Sequence, residues 1–208
     1  MHQVANVPHI PRAAQWLFTL WMLFWVTVIL FNQGPQNFFW LCNMAKFIVL
    51  YAIWRGDRLL LSSQVGVVTI VGLGWGLDFL TGLALGGHSP TGFTDYMFGD
   101  ELSLLARSTS LYHLGLPPFL LWLILRVGYD RRGPWLQCGI GAVAVVGAWL
   151  FTEPVRNVNW VWEPFGVEQT WMPDPLWVLV LILAYPLVLY FPGHWLVLQF
   201  RRWMKTGG

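Results

Sequence analysis

The sequence predicts an all-α membrane protein: one helical bundle of six transmembrane helices, residues 1–208 forming a single transmembrane domain with both termini cytoplasmic. Three observations predict it. The 208-residue chain is 56% hydrophobic and only 11% charged, with a mean hydropathy of +0.55, too apolar for a soluble domain and one domain in length. Six runs are long and apolar enough to cross a bilayer: 13–32, 37–54, 59–85, 102–127, 135–152 and 176–200. Nine of the twelve basic residues gather on one side of those runs.

The first run exceeds the apolar region of a signal peptide and lacks a small-residue cleavage site, so it is expected to remain as a span. The second carries Cys42, Asn43 and Lys46 at helical spacing on adjoining parts of one face. The third holds Asp78 together with Gly72, Gly74 and Gly76, which read as close helix packing rather than a phosphate loop. In the fourth, His113 precedes Pro117 and Pro118. Neither proline can donate to the helix ladder, so a kink is expected there, with the carbonyls of His113 and Leu114 freed. The fifth ends at Glu153, and the sixth is expected to terminate locally at Pro192-Gly193-His194. Short connections at 33–36, 55–58 and 128–134 imply antiparallel neighbours. The two longer loops, 86–101 and 153–175, are rich in aromatics, which argues against disorder.

Charge fixes the expected orientation. Arg12, Arg55, Arg58, Arg126, Arg131, Arg132, Arg201, Arg202 and Lys205 share one side, which the positive-inside rule makes cytoplasmic. The opposite loops hold only Arg156 among basic residues, against Asp95, Asp100, Glu101, Glu153, Glu163, Glu168 and Asp174. Many of the fifteen Trp lie near span ends or in the outer loop, among them Trp16, Trp40, Trp54, Trp160, Trp162, Trp171 and Trp203, as interfacial belts require. No basic stripe with interleaved aromatics points to nucleic acid. Cys42 and Cys138 fall near opposite ends of their spans, too far apart for a disulfide. Metal-ligand spacings are absent.

The ionisable residues inside or beside the spans share a depth. Lys46, Asp78, Arg107, His113 and Glu153 all fall in the half away from the basic loops, and one polar chamber open toward one leaflet accounts for them together. Each also has a plainer role. Lys46 and Asp78 read either as functional groups or as a buried pair fixing helix register. His113 reads as an interhelical hydrogen-bonder, Cys42 as a small buried hydrophobe, and Arg107 as an interfacial residue reaching toward Asp100 or Glu101.

Phe39-Trp40-Leu41-Cys42-Asn43-Met44-Ala45 resembles the H-L-C-x-x-A element that opens an early helix in the YwaF-like integral membrane family. A His-bearing helix follows (Ser110-Leu111-Tyr112-His113), then a basic turn (Gly128-Tyr129-Asp130-Arg131-Arg132). Asn157-Val158-Asn159-Trp160-Val161 resembles that family's N-Y-M segment, and the last span closes on Leu189-Tyr190-Phe191-Pro192. The likeness covers roughly residues 37–195. It implies kinship with membrane acyltransferases and androgen-induced-gene-type hydrolases, with Cys42 as nucleophile, His113 as its base, and Asn157 or Asn159 shaping the pocket. The chain departs from the pattern with Trp40 in place of the element's first His, and Lys46 and Asp78 have no counterpart.

The expected chemistry is acyl transfer to or from an outer-leaflet lipid. A base and a nearby positive charge (His113 and Lys46) raise the thiolate fraction of Cys42, and oxyanion donors come from Asn43, Asn157 or Asn159. Two other readings stay open: a non-catalytic accessory subunit contacting lipid or pigment within a larger assembly, and a small transporter with a Lys46/Asp78/His113 relay. No cofactor is predicted, since His113 and His194 are unmatched in depth for haem. The expected partners are membrane lipids and, in the second reading, other membrane subunits.

Overall fold

Local sequence explains how the chain turns at its basic end. Gly56 takes the left-handed conformation (φ 63°) that closes one helix, and the Asp57 side chain accepts from Leu60 N–H to open the next. The computed structural model describes residues 10–206; the side chain of Lys205, counted above among the basic residues, lies outside the described residues. Among them are α1 Arg12–Asn32, α2 Leu41–Arg55, α3 Arg58–Ala84, α4 Leu104–Thr109, α5 Tyr112–Val127, α6 Gly133–Phe151, α7 Asp174–Tyr185 and α8 Phe191–Thr206, with no strand. Five stretches are long and apolar enough to cross a membrane: Arg12–Asn32, Arg58–Ala84, Leu104–Val127, Gly133–Phe151 and Asp174–Met204. The chain is thus a multi-pass membrane protein. The remaining expected span, 37–54, is realised as a 3-10 turn over Pro35–Phe39 followed by α2, which is 15 residues long.

α3 is the hub, packed against α2, α5, α6 and α8. Its glycines are points of contact. A Cβ on Gly66 would lie 2.3 Å from the Tyr190 carbonyl oxygen, and one on Gly193 2.3 Å from the Gly66 carbonyl oxygen, so α3 and α8 touch backbone to backbone. Gly72 meets α5 in the same way, its hypothetical Cβ 2.8 Å from the His113 carbonyl oxygen and 2.5 Å from Pro117 Cγ. The His113 carbonyl that Pro117 leaves without a donor therefore lies against α3.

One expectation about a helix break is corrected, and a break not expected is found. The fourth segment divides at Ser110-Leu111, between α4 and α5, ahead of Pro117 and Pro118, which lie inside α5. In the last segment Pro192-Gly193-His194 does not end the helix. A π-helical turn over Pro186–Tyr190 links α7 to α8, Pro192 lies within the continuous helical path just beyond that turn, and Gly193 packs on Gly66. His194 is buried and its Nδ1 lies 2.7 Å from the Tyr129 hydroxyl.

Several buried polar groups at the basic end pair with one another. Gln64 Nε2 donates to Gln137 Oε1 at 2.9 Å, and Asp130 N–H to Ser62 Oγ at 2.9 Å. The Asp130 carboxylate accepts from Arg132 Nη2 at 2.9 Å, with Arg58 4.0 Å away. Hydrogen bonds from the Arg132 side chain and backbone hold its carboxyl at about 2. A carboxyl depressed below its unfolded value of about 3.9 stabilises the fold above that value and ceases to do so as pH falls through the folded value. Thermal stability is therefore expected to decline between about pH 4 and about pH 2, and Asp130→Asn to remove this part of the decline. Parallel pH–stability curves for the two proteins would refute the assignment.

Candidate functional site

At the end away from the basic turns, the connections 33–40, 86–103 and 153–173 converge above a cavity of about 560 Å³. Trp25 and Ile29 of α1, Cys42 and Asn43 of α2, Ile70, Val71, Gly74 and Trp75 of α3, and Tyr112 and His113 of α5 form its walls. Gln33, Asn37, Trp40, Phe93, Tyr96, Leu102 and Trp160 from the connections line it too, with Thr109, Ser110 and Leu189. None of these lining residues is Asp, Glu, Lys or Arg. The Tyr96 hydroxyl accepts from the Trp75 indole N–H at 3.0 Å, and burial pushes the Tyr96 phenol upward from its ordinary pKa.

The two long loops meet in an aromatic clasp. Trp160 lies 4.7 Å from Phe165 and 5.3 Å from Phe93 between ring centroids. Asn157, Asn159, Trp160 and Phe165 all hold left-handed φ values between 43° and 55°, a conformation that persists in non-glycine residues only where the surroundings impose it. Here they do. Asn157 Oδ1 accepts from the N–H groups of Trp162 and Glu163, and its Nδ2 donates to the Glu163 carbonyl. Asn159 Oδ1 accepts from Leu41 N–H at 2.9 Å, its Nδ2 donates to the Phe39 carbonyl, and its own carbonyl accepts from the Tyr185 hydroxyl.

Those bonds tie both asparagine amides to the backbone, Asn157 within its own loop and Asn159 at the start of α2. Neither side chain is among those lining the cavity. Asn159 instead fixes where α2 begins, which makes Cys42 its second residue.

Cys42 and Asn43 do line the cavity, and so does His113. The Cys42 thiol is within hydrogen-bonding reach of the Tyr112 hydroxyl, which in turn donates to Asn43 Oδ1 at 2.9 Å. The same oxygen accepts from Lys46 Nζ at 2.8 Å, and Asn43 Nδ2 donates to the Asn37 carbonyl. The His113 ring stacks between Tyr112 and Trp75, at 4.0 and 4.9 Å. Its Nδ1 lies 2.9 Å from the Ser110 carbonyl. A carbonyl only accepts, so Nδ1 carries the proton and Nε2 is the acceptor of the neutral ring.

The charged residues are not gathered into that chamber. Lys46 is fully buried behind its wall, with Nζ 3.3 Å from the ring centroids of both Trp25 and Tyr112. Its expected partner Asp78 is engaged elsewhere: the carboxylate accepts from the N–H and hydroxyl of both Thr91 and Thr94. Among the described residues no ion pair joins Lys46 and Asp78. Arg107 belongs to the short α4 and donates to the carbonyls of Met97 and Gly99, 4.0 Å from Asp100. Glu153 lies beyond the end of α6, exposed and paired with Arg156 at 3.3 Å. Common depth brought these residues together in the sequence; the direction of each side chain separates them.

Tyr112 is the residue that sequence reasoning missed. It stands beside His113 in the same Ser110–His113 stretch, and only the break at 110–111 turns its hydroxyl toward α2. Among the described residues no group of three His, Cys, Asp or Glu is placed to hold a metal ion. Comparison with family models, with curated proteins and with solved structures finds no match to this chain.

Proposed function

We propose that the chain crosses the membrane six times, with both termini cytoplasmic, and transfers an acyl group from a lipid ester through Cys42 to a hydroxyl acceptor or to water. α2 is the sixth crossing in this reading. Its 15 residues rise about 22 Å, and the 3-10 turn before it supplies the rest of the path. Nine basic residues on one side orient the bundle.

The observation that carries the reading is the joint presence of Cys42 and His113 in the wall of one aromatic chamber. His113 Nε2 takes the thiol proton, and the thiolate attacks the ester carbonyl carbon. The C–O bond then breaks, the leaving alkoxide takes the proton back from His113, and a thioester remains on Cys42. The acceptor hydroxyl or water loses its proton to His113 and attacks the thioester carbon; the C–S bond breaks, and the leaving Cys42 thiolate takes that proton back from His113. In the first turn of α2 the Leu41 N–H is taken by Asn159 and those of Asn43 and Met44 by the Trp40 carbonyl, so the Cys42 N–H is the backbone donor for the oxyanion.

The test is acyl transfer from an alkyne-tagged fatty acyl ester to the purified protein. A label released by neutral hydroxylamine is expected on Cys42, absent from Cys42→Ala and retained by Cys138→Ala. His113→Ala is expected to slow labelling by roughly 10²–10⁴-fold. Undiminished acyl transfer by Cys42→Ala would overturn the reading.

A further inference from the structure

The chamber has an unusual electrostatic character for a site that handles lipid. Seven aromatic rings face it, while the charges nearest to it are all turned away or screened. Lys46 is enclosed by Trp25, Tyr112 and Asn43, Asp78 is capped by Thr91 and Thr94, and Arg107 serves the loop carbonyls. A phosphate or carboxylate placed inside would lose its water without meeting a cation in the lining. None of the polar side chains in the lining is Asp, Glu, Lys or Arg, and they include the amides of Gln33 and Asn37 and the hydroxyl of Ser110. These suit alcohol groups, which both donate and accept.

Size narrows the occupant further. A cavity of about 560 Å³ falls in the range of about 300–1,000 Å³ that holds a single small ligand. One acyl chain with a small headgroup is such a ligand. A two-chain phospholipid is too large to enter whole.

We infer that the chamber binds a neutral, single-chain lipid of the monoacylglycerol class, held by its hydroxyls at Gln33, Asn37 and Ser110 with the chain along Ile70, Val71 and Leu189. The inference rests on the chamber being the donor or acceptor site proposed above, but its test reads binding, not acyl transfer. Gly74 gives the means to block the site, because a Cβ added there meets nothing within 4 Å and a larger side chain projects into the cavity. Gly139 on α6 is equally unobstructed but lies outside the lining, and serves as the control.

The experiment is photolabelling of the full chain in a non-ionic detergent with a diazirine- and alkyne-bearing monoacylglycerol. Adducts are expected on peptides containing Trp75 or Tyr112. Monooleoylglycerol is expected to compete at least tenfold better than lysophosphatidylglycerol or oleate. Gly74→Leu should lose most of the label while still eluting as a folded species, and Gly139→Leu and Cys42→Ala should keep it. Equal or better competition by the charged lipids, or labelling unaffected by Gly74→Leu, would overturn the inference. Charged lipids competing while Cys42→Ala still abolishes the thioester would remove this inference and leave the acyl-transfer reading standing. Chamber labelling selective for the neutral lipid, with acyl transfer persisting in Cys42→Ala, would do the reverse.

Discussion

Asp78→Asn is expected to loosen the loops that close over the cavity. Asp78 Oδ1 accepts from Thr91 N–H at 3.0 Å and Thr91 Oγ1 at 2.8 Å, and Oδ2 does the same for Thr94. Asparagine keeps one oxygen and puts an amide NH₂ where the other stood. A threonine hydroxyl can rotate to accept from that group, but a backbone N–H cannot. One buried N–H is left facing a donor, and the surviving bonds lose their charge assistance. At about 1.5–3 kcal/mol for each hydrogen bond to a charged group, a loss of about 3 kcal/mol is expected even after partial rearrangement. The effect should spread, because Phe93 in the same loop closes the clasp with Trp160. In a Cys138→Ala background, a water-soluble maleimide should modify Cys42 at least tenfold faster in the variant. A melting temperature and a labelling rate equal to the parent's would show that Asp78 does not hold the roof.

Gly193→Ala and Gly66→Ala are expected to be the most destabilising single-methyl changes in the membrane part. Each new Cβ would stand 2.3 Å from a carbonyl oxygen and 2.7 Å from a Cα on the facing helix. All four of those atoms are backbone, so no side chain can yield and α3 must separate from α8. Overpacking of this kind costs about 1–3 kcal/mol where side chains can adjust, and about 3 kcal/mol or more is expected here because they cannot. The paired control is Gly139→Ala, where nothing lies within 4 Å and a gain of up to about 1 kcal/mol is expected from helix propensity. Thermal unfolding in detergent measures all three. Equal melting temperatures for Gly193→Ala and Gly139→Ala would refute the close crossing.

Five of the six expected spans correspond to helices of membrane-crossing length, because a run of apolar residues between charged turns reports itself without any tertiary information. The Arg55–Arg58 turn was equally legible, its glycine and aspartate being the residues such a turn demands. Site partners were not. Lys46 suggests a carboxylate in sequence, but its neighbours are two ring faces from helices distant in the chain, Trp25 and Tyr112. Asp78 finds its donors 13 and 16 residues onward in a loop, where no helical periodicity announces them. Asn157 and Asn159 looked like pocket donors because an amide can serve many purposes, and only their hydrogen bonds to distant or loop backbone show what they hold. The start of α2 was hidden for a related reason: its capping residue is Asn159, 118 positions away.

That distant cap, together with the Lys46 cage, has a consequence for biogenesis. α2 leaves the ribosome with a lysine whose place at the centre of a membrane helix is worth about +2.5 to +3.5 kcal/mol against insertion. It has Trp25 and Asn43 from the start. Tyr112, which forms the other face of the cage, is synthesised only with α5, and Asn159 only after α6. In the six-span reading α2 therefore reaches the membrane as a weak inserter and is held in place by partners that arrive later. In that reading, truncated nascent chains ending before Tyr112 would carry α2 in an unsettled topology.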